Sequence, residues 1–430
     1  MKISPARTAA FDILFRIETE RAYSSVLLPI YEESLSPSDR GLCHEITLGT
    51  LRHQLFLDKL IDKLALGKKL DLQIRIALRI AIYQLKYLNK IPDYSAINES
   101  VNLVQRARKT SAKGFVNAVL RRYLREPVEL CFEDHIEEIS LETSHPRWLI
   151  ERWIKEFGIE QASEFADSNN RMPAVAFRII GEATENVNEL VSRARVSDFV
   201  DGCYLVDRYD PDLLELAEKK NIYLQDEASQ MTAQAQKIPE GGRFLDVCAA
   251  PGGKATLAAK RSGAKAGLIV AGDLHGPRVE YLRDNCRRLA GDVINVVQYN
   301  AEETLPFAEQ SFDAVLVDAP CSGTGTIRHN PELRYLLTEK DIAELPLKQL
   351  SILKNASKCV RSGGVLIYST CSVEIEEDEN VCAEFSLQAP GFECIKPDVN
   401  TRFITEKGFA RTWPQRDNMD GFFIAAFRRL

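Results

Sequence analysis

No apolar run in this 430-residue sequence approaches the roughly 18 residues that a membrane-spanning helix requires, so no membrane span is expected. Disorder is disfavoured as well, because 45% of the residues are hydrophobic and 27% charged, enough to build a core. A secretory pattern is missing from the first residues, which run directly into amphipathic sequence without a small-residue cleavage site. A cytoplasmic protein is expected. The ten cysteines are widely spread and form no Cys-x-x-Cys pair, which argues for reduced thiols rather than a disulfide framework. Cysteine and histidine at metal-ligand spacing are absent too. Only Cys43 and His44 adjoin, without partners, and no metal is expected. The dinucleotide fingerprint Gly-x-Gly-x-x-Gly and the Walker pattern do not occur, which weakens nicotinamide and nucleoside-triphosphate readings.

A chain of this length is two or three times the usual domain size. Its net charge of −7 conceals a division: residues 1–127 carry 21 Lys and Arg against 13 Asp and Glu, whereas the remainder carries 34 against 49. The asymmetry is that of a basic binding module joined to an acidic body. A helical domain whose basic residues are simply solvated would read the same way.

Residues 1–130 are expected to be all-helical, with helices over 6–20, 39–66 (broken once), 72–88, 96–108 and 115–125, the last stopped by Glu126-Pro127. In the third of these, Ile74, Ile76, Leu78, Ile80 and Ile82 alternate as in a strand. A run of 17 residues without turn formers is nevertheless too long for one. After an acidic linker over 129–142, residues 140–235 are expected to form a small α+β region with a helix around 148–153 and a strand around 174–179. From residue 236 onward strand and helix alternate, predicting a twisted, mostly parallel sheet covered on both faces, an α/β Rossmann-like domain over 236–430. Strands are expected over 243–247, 268–272, 294–298, 312–317 and 364–369, and residues 408–413 with 421–427 read as a hairpin-like edge. Ligands of such sheets bind beyond the carboxyl ends of the strands.

Several residues there invite chemistry. The first strand leads into Cys248-Ala249-Ala250-Pro251-Gly252-Gly253-Lys254 and then a helix, a small-residue loop that lets a polar ligand approach backbone amides. The second strand ends at Asp273, positioned to accept hydrogen bonds from a ribose, although an Asp there also serves as a helix cap. The third is followed by Asn300, which suits an adenine edge or an ordinary turn. The fourth ends in Asp318-Ala319-Pro320-Cys321 and the fifth in Thr370-Cys371-Ser372, placing two cysteines beyond the sheet edge. A lone buried cysteine is usually core packing. Two beside a glycine loop are not easily explained that way.

These motifs, in this order, resemble those of the RNA cytosine-5 methyltransferases. Residues 78–125, with Ala96-Ile97-Asn98-Glu99 and Lys113-Gly114-Phe115-Val116-Asn117, resemble the NusB-like RNA-binding domain of a bacterial subgroup acting on 16S ribosomal RNA. The resemblance covers nearly the whole chain and is strongest from Gln225 onward. It implies S-adenosylmethionine as cofactor, held by residues 248–254, Asp273, Asn300 and Asp318, and RNA, 16S rRNA first, as partner of a monomer that needs neither DNA nor membrane. The family often has Asp where this chain has Asn300, so the adenosine contact there is open.

The resemblance further implies methylation of cytosine carbon 5, at a cytosine-967-type site, through a covalent adduct. Cys371 is the expected nucleophile, Cys321 assists adduct breakdown and product release, and Asp318 contacts the base. Arg411-Thr412-Trp413-Pro414 and Asp420-Gly421-Phe422-Phe423 resemble the family's final motif, expected to close the site. Two rivals weaken on the residues. An exocyclic-amine methyltransferase would carry Asp/Asn-Pro-Pro-Tyr/Phe where Asp318-Ala319-Pro320-Cys321 stands, and a non-catalytic RNA-binding assembly factor would not keep both cysteine motifs. Another RNA, such as tRNA, stays open as substrate.

Overall fold

The computed structural model describes residues 3–181, 184–207, 211–235, 237–262 and 267–430. The chain divides into two compact units, Met1–Arg171 together with Ile327–Leu336, and Met172–Thr326 with Leu337–Leu430.

The first unit is helical. Pro5–Glu20 starts on a Ser4 side-chain cap with proline in its first turn, and Pro37–Arg52 repeats the device with Ser36. Gln54–Leu64, Leu72–Tyr87, Asp93–Arg106 and Lys113–Arg125 follow. Helix Leu72–Tyr87 explains its strand-like alternation: Ile74, Ile76, Leu78, Ile80 and Ile82 are all buried, so the helix is packed on more than one face. Arg79, on the same helix, is buried and satisfied by Asp58, at 2.6 and 2.8 Å, and by Glu18.

Residues 140–171, expected in the middle region, belong instead to this unit. Helices His135–Glu142, Arg147–Phe157 and Ile159–Ser168 are tied to it where Ser144 accepts a hydrogen bond from the Phe56 amide (3.1 Å) and Lys59 pairs with Glu137 (2.9 Å). The strap Ile327–Leu336 joins them. Its Arg334 is fully buried and donates to the carbonyls of Thr143 (2.9 Å) and Asn169 (3.3 Å) and to Asn170 Oδ1 (2.9 Å), while Glu332 accepts from the Ser24 amide and hydroxyl.

The second unit holds two sheets. Strands β1 (Val175–Ile179), β2 (Arg195–Val196), β3 (Tyr204–Val206) and β4 (Ile222–Leu224) form an antiparallel sheet in the order β2-β3-β1-β4. Helices Glu185–Arg193 and Pro211–Glu218 pack on it through Phe177, Val187, Leu190, Leu213 and Leu216. The larger sheet contains β5 (Arg243–Asp246), β6 (Leu268–Asp273), β7 (Ile294–Gln298), β8 (Phe312–Asp318), β9 (Val360–Thr370), β10 (Phe392–Ile395), β11 (Ala410–Arg411) and β12 (Phe423–Arg429). Its order is β10-β12-β9-β8-β5-β6-β7, with β11 beside β12.

The five strands from β7 to β9 run parallel and β12 antiparallel to them. The expected hairpin pairing of β11 with β12 occurs, but β12 is not an edge. It lies between β9 and β10, because all seven residues from Phe422 to Arg428 except the last are buried and need covering on both sides. Neighbours along each strand alternate between two cores. Phe244, Ile269, Ala271, Leu316 and Ile367 face one, and Leu245, Val270, Val315, Val317 and Leu366 the other. That register sends the carboxyl ends of β5, β6, β8 and β9 to a single edge.

Candidate active site

Asp246 closes β5 and the backbone then turns into residues 247–252 before helix Gly253–Ser262. Gly252 sits at φ +103°, and a Cβ there would lie 2.9 Å from Leu282 Cδ1, so the tight loop demands glycine. The Ala250–Pro251 peptide is cis. Two outside groups hold the loop. Asp273 at the end of β6 accepts from the Ala250 amide (3.3 Å) and its own following amides, and Arg178 from β1 reaches across to Gly253 O (3.3 Å) and Thr256 Oγ1 (2.8 Å).

A cavity of about 260 Å³ opens over this loop, lined among others by Asp246, Cys248, Ala249, Lys254, Asp318 and Cys371. Lys254 is the hub of its charges. Its Nζ lies 2.7 Å from Asp318 Oδ2 and 5.3 Å from the centre of the Phe422 ring, and Ser369 donates to Asp318 Oδ1 at 2.8 Å. Burial alone would lower the Lys254 pKa, but the charge and hydrogen bond of Asp318 raise it, so the lysine stays cationic.

Asp246 has no such neutraliser in contact. It is fully buried, and neither oxygen completes a hydrogen bond among the described residues. Burial first, then the charge of Asp318, raise its pKa to about 8. An orphaned buried carboxyl lining a cavity is suited to a cationic ligand. S-adenosylmethionine, with its sulfonium and ammonium groups, fits the residues present.

The two cysteines meet. Cys321 follows β8 and Cys371 follows β9, neighbouring parallel strands, and their sulphurs are 3.4 Å apart. The two turns are laced together: Gly325 N donates to Cys371 O (3.0 Å), Val373 N to Thr324 Oγ1 (3.1 Å), and the hydroxyls of Ser322 and Ser372 lie 3.1 Å apart. The hydrogen bond with Cys371, and then burial, push the Cys321 thiol well above the usual range.

Of the residues singled out from sequence, Cys248, Ala249, Ala250, Pro251, Gly253, Lys254, Asp318 and Cys371 line the cavity, and Cys321 touches Cys371. Gly252 and Asp273 are outside the lining and shape the loop from behind. Asn300 is also outside it. Its side chain accepts from the Glu302 amide (3.1 Å) and donates to Glu303 (2.9 Å), the turn use of asparagine. Asp246, Tyr223, Gln225, Asp226 and Thr326 line the cavity without having been singled out. Only Asp246 carried a local signal, as an acidic residue at the end of an apolar strand. Asp420 and Phe422, from the expected closing motif, line it too.

Residues 233–428 match the family model described as 16S rRNA methyltransferase RsmB/F, and residues 4–125 match that of the NusB family. The probable ribosomal RNA small subunit methyltransferase B of Bacillus subtilis (strain 168) is 32% identical over 453 residues, 100% of each chain. The ribosomal RNA small subunit methyltransferase B of Pseudomonas putida is 32% identical over 441 residues, 99% of this chain and 98% of its own. Among solved structures, a methyltransferase homolog protein from Pyrococcus horikoshii aligns with a TM-score of 0.56 at 25% identity, over 70% of this chain and all of its own. No helix among the described residues is long and apolar enough to cross a membrane. With a glycine loop and acidic cavity at the strand ends, a helical NusB domain and relatives matched end to end, the chain belongs to the S-adenosylmethionine-dependent 16S rRNA methyltransferases of the RsmB/F family.

Proposed function

We propose that the protein methylates carbon 5 of a cytosine in 16S rRNA through a covalent adduct with Cys371. The observation that carries this reading is the pair of sulphurs 3.4 Å apart, one of which, Cys371, lines the same cavity as the glycine loop. Carbon 5 of cytosine is a poor nucleophile. Addition of the Cys371 thiolate to carbon 6 pushes electron density onto carbon 5, the carbon that is methylated. S-adenosylmethionine supplies an electrophilic methyl group.

Asp318, held by Lys254 and Ser369, contacts the amino edge of the base, and Cys321 assists the last stage, when the carbon 5 proton is removed and Cys371 leaves as thiolate. Asp246, Asp318 and the backbone of residues 248–254 hold the cofactor, with Asp273 supporting the loop. The local use of Asn300 does not support a role in adenosine binding. A base in structured RNA must be unstacked to reach such a cavity. Residues 1–130 bind the phosphate backbone of the RNA, 172–235 connect and 236–430 catalyse, in a cytoplasmic monomer.

The test is methyl transfer from labelled cofactor to unmodified 16S rRNA by the wild type, Cys371→Ala and Cys321→Ala. Cys371→Ala is expected to lose turnover by at least about a thousandfold. Cys321→Ala is expected to accumulate a protein–RNA adduct. Full turnover by Cys371→Ala would reverse the assignment.

A further inference from the structure

Two chemically equal thiols in contact can share one negative charge, and something must decide which sulphur bears it. Cys321 and Cys371 stand 3.4 Å apart, and the carboxylate of Glu377 sits at the backbone of the Cys321 turn while it meets the Cys371 turn through the Ser372 side chain. Glu377 is fully buried, and its two oxygens accept from the Ser322 amide at 3.1 and 3.0 Å, the peptide immediately after Cys321. Tyr368 donates its hydroxyl to the Glu377 carbonyl (2.5 Å) and fixes the residue against β9. The Cys371 turn, which meets Glu377 through Ser372, is held on its other side by different atoms. Thr370, immediately before Cys371, bonds Asp378, whose charge is matched by Arg411 at 2.9 Å.

The titratable groups around Glu377 are Glu374 and Asp378 on its own segment, Tyr368 from β9 and Cys321 from the turn after β8. Arg411 from β11 is engaged by Asp378 and Glu379 (2.7 Å). Lys254, on the cavity side, adds to the asymmetry. Cys371 is among the groups whose charge interacts with the Lys254 ammonium.

We infer that Glu377 is a positioning residue that keeps the shared proton on Cys321 and so leaves the negative charge of the pair on Cys371. A carboxylate held at the Cys321–Ser322 peptide opposes a second negative charge at Cys321, and Cys321 then donates its S–H hydrogen to the Cys371 thiolate. The inference rests on the proposed unequal roles of the two cysteines and supplies a cause for them. Burial raises the Glu377 pKa to about 7, so its influence switches on across neutral pH.

The experiment is single-hit alkylation with iodoacetamide, with the two cysteine-containing peptides quantified by mass spectrometry between pH 6 and 8.5. In the wild type the ratio of Cys321 to Cys371 labelling should fall as Glu377 ionises through about pH 7. In Glu377→Gln, which keeps an acceptor for the Ser322 amide, the ratio should be unchanged from wild type at pH 6 and about threefold or more higher at pH 8.5. A ratio unaltered at pH 8.5 would overturn the proposal, as would one raised equally at both pH values, the signature of a loosened turn. Should the variant not fold, the wild-type ratio decides alone, and a ratio flat with pH refutes the inference. Labelling needs no turnover, so this outcome is separate from whether Cys371→Ala remains active.

Discussion

Gly325 shows how little freedom one residue can have here. A Cβ on it would lie 2.0 Å from the Gly421 carbonyl oxygen, while its own amide is bonded to Cys371 O and its carbonyl to the Gly421 amide (2.8 Å). Two backbones touch beside the nucleophile turn, and neither is the flexible end of a side chain. Gly325→Ala should therefore destabilise the catalytic unit by about 3 kcal/mol, read as a lowered urea midpoint, and should abolish turnover. Asp246 makes a second residue-scale prediction. Its folded pKa, about 8, lies above the carboxylate value of the unfolded chain. The native state thus binds the extra proton, its contribution to stability is complete below about pH 4, and it is lost as pH rises toward 8. Asp246→Asn should flatten that decline in a pH series of chemical denaturation, and should weaken cofactor binding. An unchanged slope would place the titration elsewhere.

At the scale of elements, the cofactor loop depends on an arginine from another sheet. Arg178 of β1 is 3% exposed, stacks 5.0 Å from the Tyr223 ring centre and bonds Gln225, Gly253 O and Thr256, so the first turn of helix Gly253–Ser262 is pinned by a group it does not own. Arg178→Met should weaken cofactor affinity roughly tenfold, measured by calorimetry, because two loop acceptors lose a charged donor. The strands from β5 to β9 were legible from their apolar runs between turn residues, and so was helix Leu72–Tyr87 once its length was weighed against its alternation. The position of β12 was not. Its residues read equally well as an edge or as an interior strand, and only the presence of β10, whose four residues are partly exposed and carry no clear pattern, decided it.

The whole molecule contains one segment that sequence order misplaces. Ile327–Leu336 lies between two catalytic-domain strands in sequence, yet Arg334 and Glu332 are satisfied inside the helical unit. Deleting residues 1–130 would remove Ser24, which satisfies Glu332, and Phe56, whose amide bonds Ser144, so what remains of the helical unit would lose its anchors. We expect the truncated chain to be less stable by about 3 kcal/mol and to lose activity even on saturating RNA, with thermal melting as the measure. Surface charge is the better probe of RNA binding. Arg121→Glu with Arg125→Glu, both exposed on helix Lys113–Arg125, should lower RNA affinity and reduce the salt slope by about two while leaving cofactor affinity unchanged, measured by filter binding across salt concentrations.

The sequence by itself determined the order of helix and strand, the glycine loop, and both cysteine turns, because each is written in local spacing: apolar period, small residues at a strand end, cysteine two or three residues beyond the last apolar position. What only the tertiary structure decided are the relations between distant segments. The pairing of Cys321 with Cys371 follows from β8 lying beside β9, the anchoring of the cofactor loop follows from Arg178 on a separate sheet, and Asn300 turned inward on its own turn instead of toward the cavity. Asp246 and Glu377 owe their chemistry to burial. A carboxyl group's pKa is set by the water and charge removed around it, and no residue's neighbours in sequence record that.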